Sequence, residues 1–247
     1  MREGDVGKVA VVVGVGASQG LGAALSRRFA QEGLHTFVAG RTTEKVEQVV
    51  SEIELSGGRA TPVLADITRT EDVTALLDRA RDEGGSLDLV AYNAGNNQFS
   101  PLLEMSDDFF EDLWRVCCFG GFLVGREAAR RMLPQGRGSI LFTGATASLR
   151  ARPPFTAFAA AKAGLRAVTQ GMAREFGPAG IHVGHVIIDG VIDGDVVNSR
   201  FPAIKESKGE MGMLSVDAIA DAFWMLHTQH PSAWSLELDL RPYKEPF

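Results

Sequence analysis

The chain has 247 residues, 45 % of them apolar and 23 % charged, with a formal charge of −6 at pH 7. That length and balance fit one folded α/β domain and exclude a disordered or collagen-like chain. The acidic total, with no dense Lys/Arg cluster, argues against a nucleic-acid partner; the apolar runs, such as Val9–Val13, are far too short to span a membrane.

Met1–Lys8 is polar and lacks the apolar stretch of a signal peptide. Val9–Val15 reads as the first strand. Gly16-Ala17-Ser18-Gln19-Gly20-Leu21-Gly22 follows and opens a helix over Gly20–Gln31, the layout of a turn in which unshielded backbone meets a phosphate at a helix N-terminus. Strands at Thr36–Ala39, Thr61–Leu64 and Leu87–Tyr92 alternate with helices at Thr43–Leu55 and Thr70–Asp82. A long helix over Asp107–Met132, a strand at Ser139–Thr143 and a helix over Thr156–Phe176 come next. Strands at Val183–Ile188 and Leu236–Leu240 flank a helix at Val216–Thr228. This alternation predicts a single-domain doubly wound sheet of seven mainly parallel strands with helices on both faces. Gly33, Gly57-Gly58 and Gly84-Gly85 mark helix ends, and Ser106 and Ser215 are N-cap candidates. Asp189–Leu214 reads as irregular and too long for a bare connection, which suggests a substrate lid beside the strand ends.

The Gly16, Gly20, Gly22 spacing, Asn93-Ala94-Gly95 and Phe158-Ala159-Ala160-Ala161-Lys162 make the chain resemble the short-chain dehydrogenase/reductase family from Val9 to about Leu240. The resemblance implies a cofactor site built from Gly16, Ser18, Gln19, Gly20, Leu21, Gly22, Arg41, Asp66, Ile67, Asn93, Ala94, Gly95, Lys162 and Asp189. Val15 stands where the family usually has a threonine that ties the loop to a neighbouring strand. Gly40, where an NAD-preferring member would carry Asp, has no carboxylate to repel a 2′-phosphate, and Arg41 beside it offers a cation. NADP is therefore the expected cofactor, with NAD the second choice.

The family's proton donor is a tyrosine four residues before the lysine, and here that position is Phe158. Its serine position is Ala145 and its asparagine position is Cys117, so Lys162 alone remains of the four. Losing a positioned general acid costs roughly 10² to 10⁴ in rate, about 3 to 5 kcal/mol of barrier. Tyr92 ends the fourth strand and Tyr243 lies in the tail, so neither replaces Phe158 in sequence. Thr143, Thr146, Asp189 and Asp193 are the polar groups left near the pocket; a carboxylate there, Asp193 above all, could serve as an acid or simply cap the following helix. His185 reads as a packed strand histidine, and Cys117 as either a reactive thiol or an inert helical one. Asp189, Asp193 and Asp195 do not fit calcium-loop spacing, and no zinc constellation is seen.

Three functions stay open: an NADP(H)-dependent oxidoreductase with a remodelled proton path, a nucleotide-binding subunit without turnover, and a non-redox lyase or isomerase built around Asp189 and Asp193. The resemblance also implies a homodimer or homotetramer formed through the Asp107–Met132 and Thr156–Phe176 helices. Adjacent Cys117 and Cys118 cannot staple distant segments, which fits a reducing cytoplasm.

Overall fold

A computed structural model describes residues 7–95 and 97–245, so most of the polar opening segment lies outside the described residues. Seven parallel strands form one sheet: β1 (Lys8–Val13), β2 (His35–Gly40), β3 (Ala60–Leu64), β4 (Ser86–Tyr92), β5 (Gly138–Thr143), β6 (Ile181–Ile188) and a final edge strand (Glu237–Leu240). Their spatial order is β3-β2-β1-β4-β5-β6 and then the edge strand. The sequence of β1 explains its central place. Val9 to Val13 are all fully buried, because the strand is covered on both faces and has no solvent side to make polar. Val9, Val11 and Val13 pack in one layer with α3 (Thr70–Gly84) and α6 (Thr156–Phe176). Ala10 and Val12 pack in the other with α1 (Leu21–Gln31) and α2 (Thr43–Leu55). The chain winds outward from β1 in one direction and from β4 in the other. That reversal opens a crevice at their carboxyl ends.

Ser106 accepts a hydrogen bond from the Phe109 amide at 3.2 Å and Ser215 one from the Ala218 amide at 3.4 Å, so both cap helices. Gly33, Gly57 and Gly85 have positive φ. Gly84 instead closes α3, and Gly58 packs against Ile53 and Ala30.

Two stretches depart from the sequence reading. The long helix expected over 107–132 is α4 (Asp107–Trp114), a π turn (Arg115–Phe119) and α5 (Gly120–Met132). Gly120 and Gly121 bring the backbone directly against Ile67, Tyr92 and Leu165, and the Tyr92 hydroxyl donates to the Val116 carbonyl inside the widened turn. Residues 189–214 are not bare loop. They hold β7 (Ile192–Asp193), α7 (Asp195–Arg200), α8 (Pro202–Lys208) and the first half of β8 (Leu214–Ser215), which pairs with β7. Helices of six and seven residues are too short to leave a periodic signal. The segment is tied to the chain's end by Lys208–Glu245 at 2.5 Å and by Lys244 Nζ donating to the Glu210 carbonyl at 2.5 Å. After it, α9 (Val216–His227) leads to the edge strand β9 (Glu237–Leu240).

Candidate active site

The crevice is lined by the turns that follow β1 and β4. Gly14 has φ +82°, and a Cβ there would overlap the Ala94 amide, so the two turns touch. Asn93 joins three strand ends: its amide donates to the Val13 carbonyl at 3.0 Å, its Nδ2 to the Gly14 carbonyl at 3.4 Å, and its Oδ1 accepts from Thr143 Oγ1 at 3.1 Å. The Val15 amide donates to the Ala39 carbonyl at 3.0 Å, so the backbone fastens the loop to β2 where no threonine is present. A Cβ at Gly22 would lie 3.0 Å from both the Gly14 carbonyl and Val15 Cα, which explains the close seating of α1 on the strand. A Cβ at Gly16 would meet nothing within 4 Å. The first turn of α1, with Leu21 at its start, has no side-chain cap. Open space beside Gly16 and uncapped amides at a helix's positive end suit the pyrophosphate of a dinucleotide.

On the far side of the turn the Ser18 hydroxyl donates to both Glu52 carboxylate oxygens at 2.7 and 2.8 Å. Arg27 bonds the Ser18 carbonyl at 2.9 Å and Glu52 at 3.1 Å. This Arg27–Glu52 clamp left no signal in the sequence, because its partners lie on three separate segments. At Gly40, a Cβ would overlap the Val15 carbonyl and sit 2.8 Å from Val46 Cγ1. An aspartate there is sterically excluded as well as absent. Asp66 Oδ1 accepts from the Thr68 amide and hydroxyl at 3.0 and 2.7 Å. The Thr68 amide bond is the main reason its carboxyl is held below the usual range, with Arg41 a smaller contributor. Ile67 is buried against Gly120.

The four positions singled out for chemistry converge. Cys117 and Phe158 belong to one apolar cluster, together with Leu113, Cys118, Ala157 and Ala161; Ala145, Phe155 and Phe109 pack against it. Lys162 is 4 % exposed, its Nζ donates to the Thr143 carbonyl at 2.8 Å, and it lies 5.7 Å from the centre of the Phe158 ring. Burial pushes the Lys162 amine down, and the neighbouring Cys117 opposes that shift. A Cβ on Gly95 would sit 3.4 Å from both Cys117 Sγ and Lys162 Nζ. Both cysteines are buried and free.

The remaining polar candidates are otherwise engaged. Tyr92 is fully buried with its hydroxyl on Val116, and burial pushes its pKa well above the usual value. Tyr243 is 77 % exposed. Thr146 donates to the Ile188 carbonyl at 3.2 Å and to Asp189. Asp189 is also paired with Arg241 and lies 3.7 Å from Arg150, so its carboxylate faces cations. Asp193, the other carboxylate expected as a candidate acid, is paired. Asn198 at 2.8 Å, followed by Lys205 at 3.0 Å, holds its carboxyl below the ordinary range, the opposite of what a proton donor needs. His185 is fully buried, and neither ring nitrogen has a hydrogen-bond partner among the described residues. Its ring occupies the place a Gly144 side chain would take, and Nδ1 is 3.7 Å from Glu237. Burial lowers its pKa to about 4. Among the described residues no group of three His, Cys, Asp or Glu side chains could hold a metal ion, and no helix is long and apolar enough to cross a membrane.

A glycine turn at the reversal point of a doubly wound parallel sheet, with a buried lysine of α6 against the Gly95 turn after β4, defines an α/β protein of the dinucleotide-binding dehydrogenase type. The sequence profile of the short chain dehydrogenases matches residues 8–205. The chain belongs to that family, the short-chain dehydrogenases/reductases, whose members are NAD(P)-binding oxidoreductases. A short-chain dehydrogenase from Rhodopseudomonas palustris is 41 % identical, with a TM-score of 0.82 over 96 % of this chain and 99 % of its own. A metagenomic short-chain oxidoreductase solved with NADP is 26 % identical, with a TM-score of 0.81 over 96 % and 98 % of the two chains. The uncharacterized oxidoreductase YuxG of Bacillus subtilis is 37 % identical over 77 % of this chain, which spans only 28 % of that longer protein's length.

Proposed function

We propose that the protein binds NADP(H) and acts as an oxidoreductase on a carbon centre that needs no proton from position 158, such as an activated carbon–carbon double bond or an imine. The observation that carries this reading is the apolar cluster of Cys117, Phe158 and Ala145 beside the one retained polar group, Lys162. The turn at Gly16, Ser18, Gln19, Gly20, Leu21 and Gly22 would take the pyrophosphate, Arg41 the 2′-phosphate, and Asp66, Ile67, Asn93, Ala94 and Gly95 the adenosine half. Lys162 would hold the nicotinamide ribose. When bound, the nicotinamide supplies or accepts a hydride. The chain's own contribution is to orient the ring and exclude water with Phe158 and Phe155.

A second reading, a nucleotide-binding subunit without turnover, is favoured by the pairing of Asp193 with Lys205 and of Asp189 with Arg241. The same pairing weighs against a lyase or isomerase using those acids. The exposed aromatics Phe110 and Trp114 of α4 sit among Asp107 and Glu111, while Arg126 and Arg130 lie towards the end of α5. Antiparallel association of two copies along this rod would oppose acid to base, so a homodimer, or a homotetramer built from it, is the proposed assembly. Segment 189–214 would close over the substrate.

The first experiment is a titration with NADPH and NADH, followed by nicotinamide fluorescence and thermal stability. Tight NADPH and weak NADH binding is the expected result; binding of neither refutes the reading. Transfer of hydride to activated alkenes or imines, and not to simple ketones, then separates enzyme from binding subunit.

A further inference from the structure

The nucleotide turn is already in contact with an anion of the chain's own. The Gln19 amide donates to Asp195 Oδ2 at 3.1 Å, and the Asp195 amide donates back to the Gln19 carbonyl at 3.4 Å. Gln19 lies immediately before Gly20, the uncapped N-terminus of α1, so this carboxylate stands at the positive end of that helix. The approach is close because residue 194 is glycine: a Cβ there would lie 3.0 Å from the Gln19 carbonyl. Asp195 is held in place from its own side. It begins α7, β7 precedes it in a ladder with β8, and Asp193 is fixed by Asn198 and Lys205. The turn is fixed from the other side by Arg27 and Glu52 through Ser18. The two segments therefore meet at one reciprocal pair of hydrogen bonds.

We propose that Asp195 is a built-in competitor for the dinucleotide's phosphates: its carboxylate occupies the mouth of the glycine turn, and NADP(H) must displace it or bind against its charge. The inference rests on the NADP(H) reading above. Its signature is a penalty common to both dinucleotides, since the pyrophosphate is common to both. Discrimination between them belongs to Arg41 and is left untouched. Because the contact is solvent-exposed, the penalty shrinks as salt rises.

The test compares the wild-type chain with Asp195→Asn and Asp195→Ala, titrating NADPH and NADH at low and high salt. Both variants are expected to bind each dinucleotide roughly three- to thirtyfold more tightly at low salt, with the NADPH/NADH ratio unchanged. Hydrogen exchange at the Gln19 amide gives a readout without any ligand and should quicken in Asp195→Ala. Unchanged or weaker binding by the variants, with the wild type binding normally, overturns the inference and leaves the NADP(H) reading standing. Failure of all three proteins to bind overturns both. A Gln19 amide exchanging equally fast in wild type and Asp195→Ala refutes the latch itself.

Discussion

Burial of the His185 ring should make the fold less stable in acid. In the unfolded chain its imidazole titrates near 6.5, and in the folded chain near 4. Between those values the unfolded state binds more protons, so stability falls as pH is lowered through that window and is fully present above it. For those two pKa values the loss between pH 7 and pH 5 is about 2 kcal/mol, equivalent to roughly 4–8 °C in Tm for a chain of this size. His35, His182 and His227 are also shifted down by burial, so the informative quantity is the difference between the wild type and His185→Met. Methionine fills similar volume and leaves no polar atom unpaired beside Gly144. The groups facing the ring are Lys162 and Arg166 of α6 and Glu237 of β9, and all three persist in the variant. Chemical denaturation at half-unit pH steps should therefore give a shallower acid limb for His185→Met, by about 2 kcal/mol over that range. Parallel limbs for the two proteins would show that the ring is hydrated or paired in solution, and the reasoning from its burial would be wrong.

Arg41→Ala should weaken NADPH binding about tenfold while leaving NADH binding within about twofold, as titration would show. Gly40→Asp should not simply exchange cofactor preference. The new Cβ meets the Val15 carbonyl, so thermal unfolding should reveal a loss of about 1–3 kcal/mol before any gain for NADH appears. Lys162→Met should keep the fold, because a buried ammonium is replaced by an apolar chain of similar length, yet weaken both dinucleotides at least tenfold by fluorescence titration. Phe158→Tyr alone should leave ketone reduction negligible in a steady-state assay, since Ala145 and Cys117 still supply no polar partner; robust turnover would contradict the assignment of those positions.

Much of the fold could be read directly. The continuous apolar run of β1, Val9–Val13, states that both sheet faces are covered, and the helix ends at Gly33 and Ser106 are local events with local causes. The reading of Phe158 and Ala145 as the tyrosine and serine positions rests on their spacing to Lys162, and that of Cys117 on its place in the helix after the Asn93-Ala94-Gly95 turn. What escaped depends on contacts distant in sequence. The π turn is shaped by Tyr92 and the packing of Gly120, the clamp on Ser18 by one residue each of α1 and α2, and the pairing of Asp193 by Lys205, twelve residues away. A carboxylate's neighbours decide whether it is an acid or one half of an ion pair, and no pattern along the chain reports them.

The widened turn at Arg115–Phe119 also constrains how this gene can change. One extra residue in a helical turn rotates everything beyond it by about 100° relative to what precedes it. The stripes by which α4 and α5 face their neighbours are therefore set out of phase by that turn. Removing one residue from 115–119 would yield a straighter helix of better intrinsic geometry, yet it would swing Gly120 and Gly121 away from Tyr92 and Leu165. Bulkier side chains would then press on the sheet. Single-residue deletions here should be far more damaging than substitutions at the same five positions, an asymmetry that a saturation library scored for folding would expose.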